Sequence, residues 1–232
     1  MGASETVEQI VAGGIVAIIR LPFAEDLLPV AEAIHEGGVT AIELTLAAPG
    51  ALDALERARL QLGRGIRLGV GTVLAVKQAR DALQAGAEFL VAPAFNPEVI
   101  RTAREADVAV VSGAFTPTEI VQAHEAGASL VMVFPAGSVG PRYIQDLRGP
   151  LPHIPLMPRG GVSLENAGAF IQAGAAALGV GDDLATRDLL ERRDFRGIAA
   201  RAREFTEAIA RARVRAGRPA PPVRPVEGPD IR

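Results

Sequence analysis

"EAGASLVMVFP", residues 125–135, is the stretch on which the fold turns. Two residues of a helix end are followed by Gly127, then by an apolar run with no polar alternation, and Pro135 stops it. A glycine in that place suits a left-handed helix C-cap, and an apolar run without alternation is how a parallel strand covered on both faces reads. The pattern recurs in "HEGGVTAIEL" (35–44), "QAGAEFLVAP" (84–93) and "QAGAAALGVG" (172–181). Aligning Gly37, Gly86, Gly127 and Gly174 gives spacings of 49, 41 and 47 residues, the length of two strand–helix units. Left-handed caps are expected at all four.

Four more apolar runs fall between these: "GIVAIIR" (14–20), "IRLGVG" (66–71), "VAVVSG" (108–113) and "IPLMP" (154–158). Eight strands interleaved with helical patterns imply right-handed βαβ units, and eight such units close into a (β/α)8 TIM barrel of the α/β class. An extra helix over residues 3–12 precedes the first strand, and a last helix over 194–214 follows the eighth. One barrel domain is expected over 1–215. The five prolines of "GRPAPPVRPVEGPDIR" mark 216–232 as a disordered tail.

The 232 residues carry a formal charge of −3 and an apolar fraction of 49%. That balance offers no basic footprint for nucleic acid, and no run approaches a membrane span. Without cysteine there is neither a disulfide framework nor a thiolate nucleophile. No leader is evident before the first apolar run, and a cytoplasmic location is expected. Of 24 basic residues 23 are arginine, so lysine chemistry has one candidate, Lys77, on an outer helix where a surface role is the ordinary reading.

Chemistry in such barrels sits at the C-terminal ends of the strands. Those ends offer Arg20, Glu43 with Thr45, Thr72, Pro93, Ser112, Met132 through Pro135, Arg159 with Gly160 and Gly161, and Gly181 with Asp182 and Asp183. Glu43 carries most information, because a lone carboxylate in "TAIELTL" is costly to bury unless it is paired or functional. Either an ion pair with Arg20 or general acid/base work accounts for it.

The stretches "GGVTAIELTLAAPGA" (37–51), "GVGTVLAVKQARDALQAGAEFLVAPAF" (69–95), "TPTEIVQAHEAGA" (116–128), "FPAGSVGP" (134–141) and "PRGGVSLENAGAFIQAGAAALGVGDDL" (158–184) together resemble the 2-keto-3-deoxy-6-phosphogluconate / 4-hydroxy-2-oxoglutarate aldolase family. The resemblance implies a homotrimeric class I aldolase barrel of carbohydrate metabolism. It would split a 2-keto-4-hydroxy acid into pyruvate and an aldehyde, with no cofactor or resident metal. It makes Glu43 the acid/base and Thr72 a pyruvate carboxylate contact. Arg20 matches an arginine found in part of the family, while the alternative arginine position is Ala47 here. Thr45, Pro93, Phe134, Gly160, Gly161 and Gly181 would complete the substrate pocket.

Three positions depart from the family's pattern. Met132 stands where the resemblance implies the Schiff-base lysine, and a thioether cannot condense with a ketone. Arg159 replaces a threonine before the paired glycines, and Asp182 replaces a serine that helps bind substrate phosphate. Because the seventh and eighth strands are neighbours, an Arg159–Asp182 ion pair is expected. Three functions stay open: an imine-free aldolase, a lyase or isomerase using a divalent metal, and a catalytically silent 2-oxo-acid-binding or structural trimer.

Overall fold

The computed structural model describes residues 2–21, 23–46 and 49–217, the side chain of Arg64 apart. Ala47 and nearly all of the tail lie outside the described residues. The first half of the chain runs α1 (Ala3–Gly13), β1 (Ile15–Ile19), α2 (Leu27–Glu36), β2 (Ala41–Thr45), α3 (Ala51–Leu62), β3 (Arg67–Gly71), α4 (Val76–Gln84) and β4 (Phe89–Ala92). The second half runs α5 (Pro97–Glu105), β5 (Ala109–Ala114), α6 (Pro117–Glu125), β6 (Leu130–Val133), α7 (Gly140–Arg148), β7 (Leu156–Pro158), α8 (Leu164–Gln172), β8 (Leu178–Val180), α9 (Arg187–Glu191) and α10 (Phe195–Arg215). Every apolar run named above holds one strand. The short α9 had no counterpart in the pattern.

All pairings within the sheet are parallel, in the order β7-β6-β5-β4-β3-β2-β1-β8. The barrel closes between β7 and β8 through one bridge, Arg159 to Gly179, and through the Ala176 amide donating to the Leu156 carbonyl at 2.8 Å. Side chains alternate between two apolar layers, as a pleated strand requires. On β6, Leu130 and Met132 join the inner cluster with Phe89, Val91, Val111 and Met157, while Val131 and Val133 join the outer one against the helices. Helix α1 plugs the N-terminal end, setting Ile10 into the inner cluster with Val7 and Val11 packed against it. Arg213 of α10 pins that plug by donating to the Val11 and Ala12 carbonyls, both at 2.5 Å.

Of the four aligned glycines, Gly86, Gly127 and Gly174 have φ of 87°, 97° and 104°. Gly37 does not share their conformation. It sits at φ −75°, and its neighbour Gly38 takes the left-handed place at 91°. The first repeat is thus shifted by one residue, which brings Glu43 and Met132 to equal distances, five residues, beyond their caps. Among the described residues no helix is long and apolar enough to cross a membrane.

Candidate active site

Glu43 lies on β2 between Ile42 and Leu44, both of the outer layer, so the pleat aims its carboxylate into the barrel. Room for it comes from β3, where a Cβ on Gly71 would lie 2.1 Å from Glu43 Oε1. The side chain is fully buried. Its partner is Arg159, whose Nη1 donates to Oε1 at 3.2 Å and Oε2 at 3.1 Å. The same nitrogen lies 3.8 Å from Met132 Sδ. Burial pushes the Glu43 carboxyl up from 4.5 to about 7, against the pull of the Arg159 guanidinium and a weaker pull from Arg20. A carboxyl with that pKa can take and return a proton near neutral pH.

Two expected pairings are corrected. Glu43 pairs with Arg159 rather than Arg20, and Arg159 turns into the barrel instead of toward Asp182. The route inward crosses β8 at Gly179, where a Cβ would stand 3.1 Å from that of Arg159. Glycine there leaves the path open.

Above this pair opens a cavity of about 470 Å³. Arg20, Thr72, Pro93, Met132, Phe134, Arg159, Gly160, Gly161, Gly181 and Asp182 all line it, and Glu43 sits beneath through its contact with Arg159. Thr45 is not in the lining; its hydroxyl is buried without a hydrogen-bond partner among the described residues. Lys77 is remote and exposed, paired with Asp81 at 2.6 Å.

Ile18, Val162, Ser163, Gly179 and Asp183 also line the cavity. Asp183 is the informative addition. Its Oδ2 accepts the Leu164 amide at the start of α8 at 2.8 Å, and Arg201 of α10 holds Oδ1 at 2.9 Å and the backbone carbonyl at 2.8 Å. Asp183 thus takes the amide at the start of α8, whereas its neighbour Asp182 makes no hydrogen bond or ion pair among the described residues. Two adjacent acids at a strand end signal a polar rim; only the backbone path decides which one turns to the helix. Among the described residues no group of three or more His, Asp and Glu side chains is arranged to hold a metal ion.

The model of the KDPG and KHG aldolase family matches residues 7–201. A 2-dehydro-3-deoxy-phosphogluconate aldolase of Pseudomonas aeruginosa is 32% identical over 200 residues, 86% of this chain and 90% of its own. A 2-dehydro-3-deoxy-6-phosphogalactonate aldolase of Escherichia coli is 32% identical over 196 residues, covering 84% and 96%. A solved structure described as native KDPGal superposes with a TM-score of 0.80 at 31% identity, over 85% of this chain and 95% of the other. The eight-stranded barrel, the cavity at its C-terminal end and these matches together make the chain a member of the KDPG and KHG aldolase family.

Proposed function

We propose that the mouth binds a small 2-oxo acid and cleaves or forms its C3–C4 bond without an imine, as a cytoplasmic homotrimeric lyase in which Glu43 moves the proton and Arg159 holds the enolate. One observation carries this: a dry carboxyl poised near pH 7 touches a guanidinium whose Nε and Nη2 have no partner among the described residues. Met132, at the position of the expected lysine, offers a thioether that forms no bond to a carbonyl carbon.

In the cleavage direction the Glu43 carboxylate takes the proton of the substrate's C4 hydroxyl. The C3–C4 bond breaks, the aldehyde leaves, and the electron pair moves into the C2–C3 bond as C2 oxygen becomes an enolate. The guanidinium N–H groups left over by Glu43 suit that oxygen, which gains charge as the reaction proceeds. Glu43 then returns its proton to C3 and pyruvate results. Arg20 and Thr72, across the cavity lining, are suited to the substrate carboxylate. A silent 2-oxo-acid binder is the second reading, supported by the same Arg159 contact, which neutralises Glu43 in the resting state.

The test follows pyruvate release from an unphosphorylated 2-keto-4-hydroxy acid, with the intact mass measured after pyruvate and sodium borohydride. Release without a mass increase is expected. Met132→Lys should gain the adduct, because Arg159 beside Sδ keeps a new amine in its neutral, nucleophilic form. A borohydride-stable adduct on the parent would overturn the imine-free route. Binding without release would favour the silent binder.

A further inference from the structure

A second cavity, of about 270 Å³, opens at the end of the barrel away from the mouth, between the end of α1, the turn that leads from α7 into β7, the end of α8, and α10. Three ionisable side chains line it, Arg148, His153 and Arg213, and all three are basic. We propose that this cavity is a binding site for a compact phosphate dianion, which ties together the segments that meet at the β7–β8 seam.

Arg213 carries the argument. It is 9% exposed, and it donates to the Val11, Ala12 and Ala176 carbonyls while meeting no carboxylate among the described residues. The arginines of the barrel interior, Arg67 and Arg159, each meet one, in a chain whose 27 acids outnumber its 24 Lys and Arg residues. Neutral carbonyls, even at the negative end of a helix, hold a guanidinium without cancelling its charge, and a buried charge left without its opposite is costly. Burial accordingly draws the Arg213 pKa below the ordinary arginine value. Arg148, which braces the turn before β7 by donating to the Leu151, Pro152 and Ile154 carbonyls, brings a second guanidinium to the same cavity. His153 adds an imidazole, which donates from one ring nitrogen even when neutral. Guanidinium forks suit the oxygens of phosphate, and two of them suit a dianion better than a singly charged acid. The remaining walls, Val11 and Ile154 among them, are mostly apolar, so they offer little to the hydroxyls of a sugar ester. At this end the seam is closed by the Ala176 amide, which donates to the Leu156 carbonyl at 2.8 Å, and Ala176 lines the cavity. An anion held here joins the α7–β7 turn to α10 and, through Arg213, to the α1 plug.

The full-length protein is titrated calorimetrically with inorganic phosphate, at an ionic strength held constant with sodium chloride. Phosphate should bind and should raise Tm, since a ligand of the folded state alone stabilises it. Acetate at the same concentration should do neither. His153→Glu, at an exposed position, sets a carboxylate against the anion and should weaken phosphate binding about tenfold or more. Arg213→Gln keeps donors for the carbonyls, removes the charge and should weaken it by a similar factor; the histidine variant decides if this one does not fold. Arg20→Ala takes a cation from the mouth instead and should leave phosphate binding unchanged. No phosphate binding, acetate bound as tightly as phosphate, binding lost in Arg20→Ala, or full affinity in either folded variant of the basic cavity overturns the inference. Proton transfer at Glu43 stands or falls separately, because none of these outcomes depends on it.

Discussion

The barrel interior holds an arginine with carboxylate partners at each end, and the two differ in which member is dry. At the N-terminal end Arg67, on β3, is 3% exposed and meets Glu88 at 2.9 Å and Glu5 of the α1 plug at 2.8 Å; those acids are 17% and 41% exposed. At the mouth the order is reversed: Arg159 is 14% exposed and the acid, Glu43, not at all. An arginine keeps its charge under any protein conditions, so burying it demands permanent partners, and two partly hydrated acids supply them. A carboxyl can shed its charge instead. Burial of the acid therefore yields a group that titrates near pH 7, while burial of the base yields a fastener.

The contrast breaks most visibly under mutation. Replacing both Glu5 and Glu88 by alanine removes the two acids that meet the buried Arg67, and should cost about 3 to 5 kcal/mol in urea unfolding. Arg159→Ala leaves Glu43, which can take a proton, and at pH 6 should cost about 1.5 to 3 kcal/mol, the worth of a hydrogen bond to a charged group. Equal losses from the two variants would erase the distinction.

A smaller effect sharpens it. Folding raises the Glu43 pKa, so between pH 4.5 and about 7 the folded protein holds a proton that the unfolded chain has released. Stability from this group is complete below pH 4.5 and is lost as pH rises through about 7, by roughly 3 kcal/mol at 1.36 kcal/mol per unit. Glu43→Gln should remove that slope from the urea-derived stability curve. A variant whose slope matches the parent's would mean that the carboxyl is not held up by burial.

The barrel was legible because eight covered parallel strands show as eight apolar runs, and the helix caps repeat with them. The one-residue slip at Gly37 arose because either of two adjacent glycines can carry the turn, and composition does not say which. Glu43 stood out for a related reason: a lone acid in an apolar strand has few explanations. Its partner was harder to read. Arg159 was expected to meet Asp182 on the neighbouring strand, but it crosses over Gly179, a residue with no side chain to turn it back. Asp183 lay in view with Asp182, and only the Leu164 amide and Arg201 distinguish their roles.

The central claim is that Glu43 transfers a proton to and from carbon with no imine in the path. Exchange of the pyruvate methyl protons in D₂O, followed by proton NMR from pH 5 to 9, tests it most directly. Exchange above the buffer rate is predicted, rising through an inflection near pH 7 as Glu43 ionises, and falling by about 10²- to 10⁴-fold in Glu43→Gln. Exchange no faster than buffer, or exchange that survives Glu43→Gln, would contradict it.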